Sequence, residues 1–411
     1  MSTDQLASLS RVLYSPTTLA LYLGAAFVYL YALTTTVGRS AERERGRRAQ
    51  RVGAILAVLG ITTHVAHEIV RGLAQERFPL GNMFEVTSLM ALVGVAGGLA
   101  YLQFVRKRPE LNGFVLLGGA LLLAMALLMY AEPGPLQPIL DTWWRHFHVS
   151  LLVGAMGIFA AGFVFNGLYL LRDTAERSVA AARTATTRGS TVGAAYVGDL
   201  DTGDVPTGSS VAAAGGPHGD GPDGEDPEGE DPDEAAERAH AAAYRAALRA
   251  GVPAVKLAVG VFVGTALVSW VWLVEADTLA AGMQRFLTVN LVMVAAALLA
   301  RWFVPFLPST ATLDGLAHRT IAFAFVMWTV GVIAGAMWAE QSWGRFWGWD
   351  PKETGSFLTW VAYAGYLHAR ATHGVKGRKA AWIGVGSFLV LMATYLVANY
   401  VIVGLHSYAE L

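Results

Sequence analysis

The feature that most constrains this chain is a series of ten apolar runs, each close to the length that crosses a bilayer as a helix. A spanning helix needs about 20 predominantly apolar residues. Such runs fall at 16–38, 52–72, 83–105, 113–131, 147–171, 252–274, 284–304, 320–339, 355–372 and 380–401. Charged residues make up only 15% of the 411 and hydrophobic ones 54%, whereas a soluble domain carries about 25% charged residues. The expected fold is all-α: a polytopic membrane helix bundle of about ten transmembrane helices. The first run lacks a basic n-region and a small-residue cleavage site, so it reads as a retained span rather than a signal peptide.

Positive charge between the runs predicts their orientation. RSAERERGRRAQR (39–51), the segment around Arg106, Lys107 and Arg108, and HARATHGVKGRK (368–379) are basic. With ten spans all three fall on one side, the cytoplasmic one. The N-terminus, 73–82, 132–146, 275–283, 340–354 and the C-terminus then face outward, with Glu132, Asp141, Glu275, Asp277 and Glu410 in place of basic residues. Residues 173–250 do not belong to the membrane. They are rich in Ala, Gly, Thr and Ser, then acidic in DGPDGEDPEGEDPDEAAE. Low hydrophobicity with like charge, Gly and Pro predicts a disordered acidic cytoplasmic loop. Within it, 235–250 has a helical pattern leading into the sixth span. The net charge of −1 gives no reason to expect a nucleic-acid partner. The chain has no cysteine, so it makes no disulfide, thiolate metal site or thiol chemistry of its own.

One outward loop stands apart. WGRFWGWDPKET (343–354) places Trp343, Trp347 and Trp349 within seven residues, with Gly344 and Gly348 between them. Tryptophan belongs at a membrane boundary because the ring is amphipathic, but a boundary belt accounts for one or two of these rings, not three. Glycine permits close approach of backbone or ligand, and adjacent rings predict a flat apolar plate. Asp350, Pro351 and Glu353 have the order of a helix start, with Asp at the N-cap, Pro at N1 and Glu at N3.

The histidines suggest what such a plate holds. His148 begins the fifth span and His406 follows the tenth, both on the outward face with the tryptophans. Two neutral imidazoles can bind one iron from opposite faces of a haem; equally, both can be interface histidines bonded to water or backbone. His146 competes with His148 for this place. His368 lies about 17 residues into its helix, roughly 25 Å along it. It is either half of a second, deeper bis-histidine site or a histidine reaching the inner interface beside Arg370. His64 and His67, in the second span, either join His368 or bond to neighbouring helices.

At this point a resemblance becomes specific. The stretch from DGLAHRT through WGRFWGWDPKET to YLHAR is similar to the tryptophan-rich signature of haem-handling proteins of cytochrome c biogenesis. FPLGNMFE (78–85), FHVSLL and VGLHSYAEL complete a likeness to the System II proteins called CcsA, CcsB or ResC. The likeness covers 52–172 and 310–411.

It implies haem b as cargo, moved outward and attached to the Cys-x-x-Cys-His thiols of apocytochrome c by cytochrome c synthase (haem lyase) activity. Iron ligands would be His148 and His406 at the outer site, which favours His148 over His146. His368 would pair with a histidine of a ResB-type membrane partner, leaving His64 and His67 out of the ligand set. Trp343, Gly344, Trp347, Trp349 and Asp350 would hold the porphyrin. No side chain is implied as a catalytic nucleophile. The implied location is the bacterial plasma membrane, in contact with lipid.

The implied organisation is an N-terminal membrane bundle (1–172), the insert (173–250), an extra transmembrane hairpin (251–309) and the haem-handling region (310–411). The hairpin departs from the family, which usually joins its flanks by a short inner loop; an even number of added spans keeps later residues on their proper sides. Two other functions are consistent with haem ligands in a membrane: a haem exporter without ligation activity, and an electron-transfer b-type cytochrome. A proton or ion transporter would need more polar residues along the central spans.

Overall fold

The computed structural model describes residues 2–35, 40–134, 142–189, 232–402 and 404. Among them the secondary structure is helical, without strands. The chain runs through α1 (Thr3–Val12), a π turn with Pro16, α2 (Leu19–Thr34), α3 (Ser40–Ala74), α4 (Met83–Ala100), α5 (Asn112–Leu128) and α6 (Trp143–Gly189). It continues through α7 (Pro232–Ala250), α8 (Ala254–Ser269), α9 (Val271–Glu275), α10 (Leu279–Trp302), α11 (Thr310–Trp343), α12 (Pro351–Thr372) and α13 (Gly377–Tyr400).

Among the described residues, helix runs through each of the ten expected spans. Eight helical stretches among the described residues, from Thr3–Thr34 to Gly377–Tyr400, are long and apolar enough to cross a bilayer, or nine if one bent pair counts as a span. The chain is a multi-pass membrane protein. The two expected spans that fall short of that test have physical reasons. The first is broken at Trp270 into α8 and α9. In α12, Lys352, Glu353, His368 and Arg370 dilute the apolar content.

Two compact units are present, Met1–Thr174 with Val252–Leu411, and Ala175–Gly251. In the second, the end of α6 and α7 are linked by Ser178 Oγ donating to the Gly251 carbonyl at 2.8 Å. Helix therefore occupies both ends of the expected disordered insert, and 190–231 lies outside the described residues. In the first unit, aromatic stacking joins α6 to α12 and α13: Phe159 on Tyr363 at 3.7 Å and Phe163 on Phe388 at 4.5 Å between ring centres. Helices α4 and α6 cross where both are glycine. A Cβ on Gly157 would stand 2.6 Å from the Met90 carbonyl, and one on Gly94 would stand 2.9 Å from that of Gly157. Small residues let backbones approach in this way where lipid supplies no hydrophobic drive between helices.

The hairpin of α8, α9 and α10 is held from within and docked from its tip. Asn290 donates to Ser269 Oγ (2.7 Å), and its Oδ1 accepts from Thr265 (2.5 Å), tying α8 to α10. Trp272 of α9, 1% exposed, packs against Tyr400 of α13. At the start of α11 and the end of α12, Asp314 receives both Arg370 guanidinium nitrogens at 2.7 and 2.8 Å and the Gly377 N–H at 3.3 Å. That pair fixes the ends of α11 and α12 remote from the tryptophan loop.

Candidate functional site

A cavity of about 1050 Å³, open mouth included, lies where the loop before α4 meets the start of α6, the end of α11, the tryptophan loop and the end of α13. His148 and Trp347 line it. His148 Nδ1 is 2.7 Å from the Gly331 carbonyl of α11. A carbonyl only accepts, so Nδ1 carries the proton and Nε2 carries the lone pair. A hydrogen bond from one ring nitrogen to a carbonyl sets the tautomer in which the other nitrogen can bind a metal. The ring lies nearly parallel to Trp338 (6.1 Å, 29°). It also lies so close to α11 that a Cβ on Gly335 would stand 2.5 Å from His148 Cε1; only glycine fits there without moving the ring.

His146 is placed differently. Its Nδ1 donates to the Thr142 carbonyl at 2.9 Å, and Nε2 is 3.1 Å from an Arg145 guanidinium nitrogen. Both ring nitrogens are engaged next to Phe78, and His146 is not part of the cavity wall.

The three expected tryptophans do not form one flat plate. Trp347 is on the cavity wall. Trp343, half-buried, tilts onto Trp338 at 5.2 Å. Trp349 is 66% exposed and stands edge-on to Trp347, with an 88° angle between the rings. The backbone causes the split. Gly344 ends α11 in the left-handed conformation (φ +67°), its N–H donating to the Glu340 carbonyl at 2.8 Å, as glycine does at helix ends. Trp349 is itself left-handed (φ +59°), so consecutive rings leave the chain in different directions. Edge-to-face contact also suits the aromatic quadrupole better than a face-to-face sandwich.

Asp350 is the N-cap of α12, buried to 6% exposure, and forms a reciprocal capping box with Glu353. Glu353 Oε2 also accepts from the Gly348 N–H at 2.7 Å. The helix start therefore holds the tryptophan loop by backbone hydrogen bonds, as the Asp-Pro-Lys-Glu order predicts. Gly404 lies against this cap: a Cβ there would stand 2.5 Å from Asp350 Oδ2. His406, two residues further on, is outside the described residues.

His368 is exposed on α12, with its ring edge-on to His373 at 5.7 Å. It is not in the cavity wall. His64 and His67 are buried and bond to Tyr22, Ser88 and Ser10.

Asn82 and Glu85 enter the sequence only within the FPLGNMFE motif and Glu353 only as a cap residue, while Trp338, Tyr395 and Asn399 carry no signal; all but Glu85 line the cavity. Glu85, fully buried, accepts from Arg71 Nε (2.9 Å), Arg77 Nη1 (2.9 Å), the Gly81 N–H (2.7 Å) and Asn82 Nδ2 (3.1 Å). Arg145 donates to the Leu80 carbonyl at 3.1 Å, which ties the same loop to α6 one turn before His148. The signal for this wall was the Pro-Leu-x-Asn-x-x-Glu order. Trp338 and Tyr395 sit inside apolar runs, where an aromatic has no distinguishing pattern.

A family model described as cytochrome C assembly protein matches residues 80–406, from the cavity loop to beyond α13. The chain belongs to the cytochrome c assembly protein family. Similar proteins include the cytochrome c biogenesis protein CcsA of Gloeobacter violaceus, 50% identical over 100 residues, and that of Guillardia theta, 48% identical over 100. CcsA of Synechococcus sp. (strain RCC307) is 47% identical over 96. The Gloeobacter stretch covers 24% of this chain and 30% of the relative, the Guillardia stretch 24% and 33%, and the Synechococcus stretch 23% and 31%. The chain thus spans about a third of the length of the curated relatives it matches. The family region of this cytochrome c assembly protein takes in the whole cavity wall and leaves α1, α2 and α3 outside it.

Proposed function

We propose that this protein acts in cytochrome c biogenesis as the integral haem-handling subunit of a cytochrome c synthase, in the bacterial plasma membrane, with the tryptophan loop on the outer face. The observation that carries this reading is His148. It stands on the wall of a cavity shared with Trp347, and with its Nδ1 proton tied to a carbonyl, Nε2 is the ring nitrogen that would bind an iron. His406 is the proposed second axial ligand. Two residues before it in the chain, Gly404 rests against the cap of the tryptophan loop.

In this reading haem b is substrate. Trp347 and the His148–Trp338 pair supply an apolar, aromatic wall for the porphyrin, while Trp343 and Trp349 shape and anchor the loop. The attachment step adds each apocytochrome thiol across a haem vinyl group: sulfur bonds to one vinyl carbon and hydrogen to the other. Atoms and electrons balance without an enzyme nucleophile, so holding vinyl and thiol together is the protein's main contribution. Proximity of this kind supplies up to about 7–11 kcal/mol of a barrier. The absence of cysteine in this chain fits a reaction whose thiols come from the substrate. His368, exposed on α12, is the proposed contribution to a second haem site completed by a ResB-type partner.

The test is co-expression with the partner and an apocytochrome c reporter, with His148→Ala, His406→Ala and His368→Ala each assayed for haem content and thioether formation. Loss of matured cytochrome in these variants is expected. If all three mature cytochrome c and retain haem, the site assignment is wrong. Bound haem without thioether formation in the unaltered protein with its partner would instead establish an exporter without ligation activity.

A further inference from the structure

A second group of ionisable side chains lies outside the haem-handling cavity and before residue 80, where the family match begins. Helix α3 places His64, His67 and Glu68 on one face by the three- and four-residue spacing of helical neighbours. They are 0%, 1% and 7% exposed. Ionisable groups inside a membrane bundle are costly and tend to mark ion or proton pathways.

The hydrogen bonds around them have one consistent direction. Ser88 Oγ is 2.5 Å from Glu68 Oε1, and an ionised carboxylate only accepts, so the serine gives its single proton there. Ser88 then has only lone pairs to offer His64 Nε2 at 3.0 Å, so that nitrogen is N–H. His64 Nδ1 is left with a lone pair, and the Tyr22 hydroxyl donates to it across 3.1 Å. The chain therefore runs Tyr22 to His64 to Ser88 to Glu68, every proton pointing toward the carboxylate.

Two buried atoms in the same group have no hydrogen-bond partner among the described residues: Glu68 Oε2 and His67 Nε2. His67 Nδ1 is 2.9 Å from the Ser10 carbonyl and 3.0 Å from Ser10 Oγ; a carbonyl only accepts, so Nδ1 carries the proton and Nε2 the lone pair. Buried polar atoms are nearly always satisfied; a carboxylate oxygen and an imidazole nitrogen left open together are proton acceptors without a proton.

We propose that Glu68 and His64, linked by Ser88, form an intramembrane proton-binding site that holds one exchangeable proton. A proton arriving at His64 Nδ1 turns the Tyr22 hydroxyl to accept. Transfer from His64 Nε2 to Ser88 Oγ, with transfer from Ser88 Oγ to Glu68 Oε1, then leaves neutral His64 and protonated Glu68. No other bond changes and no other reactant is needed.

Charged and titratable groups from the neighbouring elements surround the site. On its own helix Arg71 follows Glu68 by three residues, and it is paired at 2.9 Å with Glu85 of α4, which also holds Arg77. Two guanidiniums against Glu85 leave one net positive charge on that cluster. Tyr22 from α2 and Tyr14 from the π turn face the group, Ser10 comes from α1, and α5 offers the Leu123 carbonyl, bonded to Tyr14. The same turn of α4 also carries Thr87, 2.6 Å from the Tyr395 hydroxyl on the haem-cavity wall, so this short helical segment contacts both sites.

The test uses the full chain, purified without haem and labelled with 15N-histidine, compared in alkaline and acidic buffer by infrared difference spectroscopy and NMR. A carboxylic-acid C=O band should appear on acidification, be absent in Glu68→Gln and move in Ser88→Ala. His64 should be an Nε2–H tautomer in alkaline buffer. Should Glu68→Gln fail to fold, Glu68→Asp keeps the carboxyl and should displace the band. No band in the unaltered protein, or a band indifferent to these substitutions, overturns the proposal. None of these readouts depends on haem, so the haem reading stands or falls separately.

Discussion

Replacing Gly335 by alanine separates ligand geometry from stability. The new Cβ would stand 2.5 Å from His148 Cε1 and 2.7 Å from Nδ1. Ordinary contact begins at 3.4 Å, so the ring has to retreat by about 0.9 Å, the difference between 3.4 and 2.5. Such a retreat breaks the 2.7 Å bond from Nδ1 to the Gly331 carbonyl. Losing that bond costs about 0.5–1.5 kcal/mol. Alanine in mid-helix is favoured over glycine by roughly 0.8–1 kcal/mol. The two nearly cancel, and net stability should change by no more than about 1 kcal/mol. Function should not be spared: a misplacement near 1 Å can cost about 10²-fold in a positioned reaction. The assay is maturation of a reporter cytochrome with the partner co-expressed, beside the axial-ligand spectrum and melting temperature of the purified complex. Near-unchanged melting with lost maturation and an altered spectrum is the expected result. Maturation and spectrum both like the unaltered protein would refute the role of His148 as a ligand seated against α11.

Other substitutions test neighbouring parts of the site. His146→Ala should mature cytochrome c normally, whereas His148→Ala should lose activity and regain part of it with added imidazole, read by haem staining of the reporter. Trp347→Ala should reduce haem retained on purification, while Trp349→Ala, at a ring already 66% exposed, should leave it within about twofold, consistent with the small effects of exposed positions. Glu85→Ala removes the carboxylate from two buried or nearly buried guanidiniums. It should destabilise the bundle by about 3–5 kcal/mol, measured by thermal unfolding, with Glu85→Gln intermediate. Asp350→Ala removes the α12 cap and should cost about 0.5–2 kcal/mol, seen as earlier proteolysis of the tryptophan loop.

The α12 cap was legible in the sequence because capping is local: Asp350, Pro351 and Glu353 fix it within four residues. Asn82 as the cap of α4 is legible for the same reason. The flat plate of tryptophans was the wrong inference. Ring direction depends on backbone dihedrals, and left-handed turns at Gly344 and Trp349 are not contained in the spacing of aromatic letters. His148 and His146 differ by two positions in one amphipathic segment. Their separation into cavity wall and Arg145 partner comes from how α6 is rotated against α11, where Gly331 and Gly335 leave room for a ring.

By itself the sequence determined that the chain is a bundle of apolar helices. Apolar length matched to bilayer thickness admits few alternatives for each run, and among the described residues helix runs through each of the ten. It also determined the residue types from which a haem site can be built. Only the tertiary structure decided which of them meet. The loop before α4, the ends of α11 and α13, and the start of α6 lie far apart in the chain, yet line one cavity. Their approach depends on glycine contacts such as Gly94 on Gly157 and on Glu85 gathering two arginines. Contacts of that kind are set by shape and charge between helices, and neither has a period that can be read along a single strand of letters.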